Sequence, residues 1–120
     1  MDDFITPPDH KNFLACKLFG DIGQQIVDGA IAYLKPDGGG PVVPHTHAHN
    51  HLFIVVKGEA RIELGDRTVI LKQNDSFLVD GAIPHSVWNQ TGEETVIVGI
   101  STKPGDSPTP DPDIRKTEYR

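Results

Sequence analysis

The chain has 120 residues and one cysteine, with 11 Lys and Arg against 17 Asp and Glu for a net charge of −6. That length excludes two domains of ordinary size, yet it suffices for one core that buries roughly two-thirds of the surface an unfolded chain exposes. The single Cys16 excludes an intrachain disulfide and a thiolate zinc cluster, and the basic residues, scattered singly through an acidic chain, exclude a phosphate-backbone surface for nucleic acid.

The start, Met1-Asp2-Asp3-Phe4, is acidic where a signal peptide is basic, and no apolar run approaches the ~18 residues of a membrane span. The expectation is a soluble cytoplasmic protein, since a lone thiol suits a reducing compartment. Residues 1–28 contain Pro7-Pro8 and an apolar stretch at 13–19, readable as a short helix or an edge strand packed on the remainder of the chain. From Gly29 the pattern changes to short apolar runs cut by turn residues every 8 to 12 positions, the mark of an all-β sandwich or barrel. Strands are predicted near 29–35, 42–47, 51–57, 60–64, 67–71, 76–79, 84–89 and 94–101. Pro36-Asp37-Gly38-Gly39-Gly40 reads as a turn, and Gly65-Asp66 is the clearest hairpin signal, because glycine accepts the positive φ of a tight primed turn. Residues 102–120 hold four prolines between Lys103 and Asp113 and read as a flexible tail without apolar content to repay its ordering.

Four of the six histidines fall within seven residues, at His45, His47, His49 and His51. Residues two apart on a strand share a face, so His45 and His47 form a natural chelating pair. On a straight strand His51 would lie about 20 Å from His45, so either the chain turns between His47 and His51 or His51 belongs elsewhere. Asn50 and the fresh apolar run at 52–56 favour a corner. The bland alternative is a solvated His-rich run that meets metal only adventitiously. His85 opens a strand after Ile83-Pro84 and precedes Val87, Trp88 and Asn89.

These residues resemble the cupin superfamily of small β-barrels. The first cupin motif runs Gly, five residues, His-x-His, three or four residues, Glu, six residues, Gly. Gly39, His45, His47, His51 and Gly58 stand at those spacings, with His51 in the place of the usual Glu. The second motif ends His, three residues, Asn, which His85 and Asn89 match, while Asn74, Asp80 and Ala82 depart from its Gly, Pro and Gly. The resemblance spans roughly Gly29 to Ser101. It implies a double-stranded β-helix, the jelly-roll cupin barrel, over 29–101, with one divalent metal ion held by His45, His47, His51 and His85.

Zinc, copper, iron and nickel suit imidazole, and the family adds manganese. Four neutral imidazoles would leave such an ion at +2, where a set with one Glu leaves +1, favouring anionic or enolisable ligands. His49 falls outside the motif and reads as a surface or supporting residue. Strand parity places Phe53 and Val55 on the face of His51 and Val87 on that of His85, which makes an apolar pocket for a small organic ligand. The function implied is a metal-dependent enzyme acting on a small carbonyl- or hydroxyl-bearing substrate, of dioxygenase, isomerase or cyclase type. The other reading is a non-catalytic metal-bound binding or sensor cupin. Leu52, Ile54 and Val56, opposite in parity to His51, suggest an outer apolar face and a homodimer.

Overall fold

A computed structural model describes residues 4–20 and 22–104. Among them every regular element is a strand: β1 (Lys11–Phe19), β2 (Ile26–His45), β3 (Asn50–Lys57), β4 (Glu59–Leu64), β5 (Arg67–Lys72), β6 (Ser76–Val79), β7 (His85–Asn89) and β8 (Thr95–Thr102). All pairings are antiparallel, neighbours follow the order β5-β4-β7-β2-β8-β3-β6, and β1 pairs with β2. The result is a nearly closed, barrel-like jelly roll.

One strand serves two sheets. The first half of β2 lies between β1 and β8, with Ala32 opposite both Ala15 and Ile97. Its last part leaves β8 and pairs with β7 at Gly39↔Trp88, Gly40↔Val87 and His45↔His85. The sequence predicts two strands here, parted by a turn at 36–40. The structure instead keeps a single strand that bends. Asp37, Gly39 and Gly40 all take positive φ, so the turn-forming residues swing the strand from one sheet to the other without reversing it. At Gly39 the backbones approach so closely that a Cβ would overlap the Val87 carbonyl and the Trp88 indole.

The N-terminal segment, for which the sequence allows helix or strand, is the edge strand β1. Its Phe13 is buried, while Cys16, on the opposite face, is partly exposed. The predicted hairpin at Gly65-Asp66 joins β4 to β5, in register from Glu59↔Lys72 to Leu64↔Arg67. Alternate residues point inward, and Leu34, Val55, Ile62, Leu71, Val79 and Ile97 form the driest part of the core between the two sheets. Most of the Pro-rich stretch, residues 105–120, lies outside the described residues. No helix among the described residues is long and apolar enough to cross a membrane.

A buried amide closes the end of the barrel away from the histidines. Asn89 Nδ2 donates to Leu34 O at 2.9 Å and to Glu93 O at 2.6 Å. Asn89 Oδ1 accepts from Thr91 N at 2.7 Å, and the Thr95 hydroxyl lies 2.9 Å from it. One side chain thus ties β7, the turn at 90–94, β2 and β8 together. Asn89→Ala should leave the Leu34 carbonyl and its neighbours unsatisfied in the core, lowering unfolding free energy by about 2–4 kcal/mol in urea titrations. Asn89→Asp should not rescue it, because a carboxylate has no proton to give the two carbonyls.

Candidate metal centre

The histidine tract folds at a corner. β2 ends at His45, residues 48–49 bend, and β3 begins at Asn50. Two hydrogen bonds clamp this corner to the turn that precedes β7: His47 N donates to Gly81 O at 2.8 Å, and Gly81 N donates to Asn50 Oδ1 at 3.0 Å. The fit is tight enough that a Cβ on Gly81 would overlap the carbonyls of His47 and His49. Asp80, standing where the family usually has Pro, accepts from Ala82 N at 2.9 Å and so shapes the same turn.

The clamp brings three imidazoles together. His47, His51 and His85 each offer a nitrogen, and these nitrogens lie within 4.8 Å of one another. Donors bound to one ion at ~2.0–2.1 Å stand at most about 4.2 Å apart, so a small closing movement of the rings would bring this spread to a single site. The nitrogens are also prepared to donate lone pairs. His85 Nδ1 lies 2.9 Å from the Ile83 carbonyl, which holds the proton there and leaves Nε2 unprotonated. Among the described residues, buried His51 Nδ1 has no hydrogen-bond partner, a costly arrangement that a bound ion or water would relieve.

All three rings are held neutral. Burial pushes His51 down to about 4, helped by the neighbouring His49, His85 and His47, while Asp28 opposes the shift. Burial lowers His47 as well, with His85, His49 and His45 adding to it. His85 is lowered by burial against the opposing pull of its Ile83 hydrogen bond. A neutral imidazole is the form that ligates a metal.

The four predicted ligands are therefore not equivalent. His45 sits opposite His85 in register and lines the same cavity, but it is exposed and stands outside the close group of three. Because β2 stops at His45, the two-residue parity that paired it with His47 does not carry across the corner. His49, predicted as a supporting residue, stacks on His47 with ring centroids 5.4 Å apart and lies 5.1 Å from His51.

The cluster opens into a cavity of about 360 Å³ between the sheets. Phe53 and Val87 line it, whereas Val55 on the same face of β3 is fully buried in the core beyond it. Sequence reasoning missed the wall supplied by the N-terminal segment, where Pro7, Pro8, His10 and Phe13 close one side. His10 Nδ1 lies 2.8 Å from Pro8 O, and the ring packs edge-on to Phe13 and over Gly40. The signal available was the pairing of a Pro-Pro step with a lone His, which nothing local connects to the barrel mouth. Apart from the histidines, the lining is apolar, with small residues such as Ala30, Ala32 and Gly99 making the room.

Gly81→Ala should displace the carbonyls of His47 and His49 and weaken zinc binding, measured by titration, by about 10–100-fold. In chelator-treated protein, His51 is neutral in both folded and unfolded chains above pH 6.5 and leaves stability unaffected there; as pH falls from about 6.5 toward about 4 the unfolded chain takes the proton before the folded one does, so stability is lost across that window. The Tm should therefore decline already between pH 6.5 and 5, above the range where carboxylates titrate.

A family model described as Cupin domain matches residues 30–101. No curated protein matches the sequence. Among solved structures, a putative glyoxylate-induced protein from Pseudomonas aeruginosa superposes with a TM-score of 0.75 at 18% identity, over 90% of this chain and 42% of that one. The chain thus spans less than half the length of that neighbour. A predicted oxalate decarboxylase from Thermotoga maritima gives 0.73 at 14% identity, over 85% of this chain and 91% of that one. The polyketide cyclase RemF from Streptomyces resistomycificus gives 0.67 at 18% identity, over 96% and 85%. At these identities the likeness concerns the fold.

Proposed function

The chain belongs to the cupin family, and from that premise we propose that it binds one divalent metal and acts on a small carbonyl- or hydroxyl-bearing organic substrate. The observation that carries the proposal is the convergence of three neutral imidazoles at the end of an otherwise apolar cavity. His47, His51 and His85 would hold the ion, with His45 at the rim as the further candidate. A divalent ion on neutral ligands keeps its full charge and supplies an electrophile for carboxylate, enolate or water oxygen.

The chain's own residues then select and orient the ligand. Phe53, Val87 and Ile97 exclude water from its body and leave its polar end facing the histidines. His10, with its proton held toward Pro8 O, presents an acceptor nitrogen on the other wall. The cavity suits a ligand of modest size. Oxalate and polyketides, named for two of the structural neighbours, are both rich in the oxygen donors such a site would take. The second reading, a non-catalytic metal-bound binding module, rests on the same cavity, whose apolar lining would hold a small ligand whether or not it is turned over.

Protein purified without an affinity tag should carry about one divalent ion per chain by elemental analysis, and His85→Ala should lose it. His51→Glu should retain metal, because a carboxylate oxygen is a competent ligand, but should bind small carboxylates or 1,3-diketones less tightly, since the net charge of the site falls from +2 to +1. Equal affinity in wild type and His51→Glu would contradict the charge argument. Turnover of any screened substrate, by oxygen uptake or product analysis, separates the enzyme from the binding module.

A further inference from the structure

We infer that His10 sets the ligand class of the cavity: its Nε2 accepts a hydrogen bond from a hydroxyl at the end of the ligand away from the metal, one aryl ring from the oxygen that the metal takes. The preferred ligand is thus an aromatic carboxylate with a hydroxyl opposite its acid group. The inference rests on the metal-bound reading given above and adds to it the residue that reads the ligand's other end.

His10 is held in place although it precedes β1. Asp9 takes a φ of 63°, a conformation that a residue other than glycine keeps only where its surroundings hold it. Here they do: Asp9 O accepts from Val42 N at 2.9 Å, and Asp9 Oδ2 accepts from Val43 N at 3.0 Å. The segment is thereby tied to the last part of β2. The ring is fixed as well, because Nδ1 donates to Pro8 O at 2.8 Å, the Phe13 ring packs edge-on with centroids 4.6 Å apart, and the bare backbone of Gly40 lies against Cγ and Cδ2. A carbonyl only accepts, so the neutral ring keeps its proton on Nδ1 and its lone pair on Nε2. Among the described residues Nε2 has no hydrogen-bond partner.

Distance selects the length of the ligand, and the lining selects its chemistry. Gly40, under the His10 ring, pairs with Val87, and Val87 stands two residues beyond His85 on β7. His10 is therefore displaced from the histidine cluster by roughly 7 Å along the strands, at ~3.3 Å per residue. That is the span from a carboxylate to a para hydroxyl across one benzene ring. Phe13, Phe53, Val87 and Ile97 accept a flat apolar body between these ends and offer it no polar side chain. Outside the cluster and His45 at its rim, His10 is the one polar side chain among the described residues that line the cavity. A hydroxyl brought to this end without His10 would be buried unpaired, and that penalty makes the residue selective.

Calorimetry on the zinc-loaded full chain at pH 8, with 4-hydroxybenzoate and its isostere 4-fluorobenzoate, tests this. The wild type should bind the hydroxyl compound about tenfold more tightly. His10→Phe keeps a ring packed on Phe13 but no nitrogen, and His10→Asn keeps a donor for Pro8 O but nothing that reaches as far as Nε2; in each the preference should vanish or reverse. In wild type labelled with nitrogen-15 histidine, 4-hydroxybenzoate but not 4-fluorobenzoate should move the His10 Nε2 resonance upfield. A merely structural role would change both affinities alike and leave their ratio at the wild-type value. Equal affinity of the wild type for the two compounds overturns the inference, as does a preference that survives in either folded variant, or an unmoved Nε2. Should neither variant fold, the nitrogen shift alone decides. These outcomes leave the metal-bound reading intact, since 4-fluorobenzoate still reports carboxylate binding to zinc. A loaded chain that binds neither compound overturns the inference, and a chain that takes up no zinc overturns the functional reading along with it.

Discussion

The architecture depends on β2 changing sheets without ending. Because one strand pairs with β8 along its first half and with β7 along its last, the two sheets are held at a fixed separation and the cavity lies in the angle between them. The passage needs backbone contact closer than any side chain permits, and Gly38, Gly39 and Gly40 supply it, with Asn12, Trp88 and His10 respectively pressed against them. His10 therefore lines the cavity because β2 has no side chain at Gly40. Beyond the crossing, β2 delivers the chain to the corner where His47 meets Gly81, and the histidine cluster inherits its position from that strand.

Keeping three imidazoles neutral and close costs the fold something it does not recover from packing. Each ring has lost solvent, and His51 Nδ1 has no hydrogen-bond partner among the described residues. Apolar residues could stand in their place with no such penalty, as Val55 and Val79 do nearby in the core. A polar group left unsatisfied in this way is a local conflict in an otherwise consistent sequence, and such conflicts gather where function is. The barrel alone does not say which chemistry is performed, since the fold hosts many; the donor set and the apolar lining carry that information.

Much of this is legible in the sequence. The alternation in 51–57, 60–64, 67–71 and 76–79 marks real strands because each buries one face and exposes the other, and the inward parity of Phe53 obeys the same rule. The run at 36–40 misleads because turn residues accept positive φ whether the chain reverses or merely bends, and only the partners β8 and β7 decide between them. His45 illustrates the limit of parity: the rule holds inside a strand and lapses at its end. The cavity wall at Pro7, Pro8 and His10 is invisible to local pattern, because it forms by contact with distant parts of the chain, as Asp9 O accepting from Val42 N shows.

Strand β3 is used on both sides. His51 and Phe53 face the cavity, and Leu52 and Ile54 face outward, so consecutive residues serve different tasks. A point substitution disturbs one of these tasks, but an insertion or deletion of one residue between Asn50 and Val55 would exchange them all, turning leucine into the cavity and histidine onto the outer sheet. The corner at 48–49, pinned to Gly81, leaves little slack to absorb such a shift. Length variation among related chains should then be confined to the turns at 65–66 and 90–94, and the spacing from His47 to Phe53 should behave as a fixed ruler that changes of sequence respect even where the residues themselves differ.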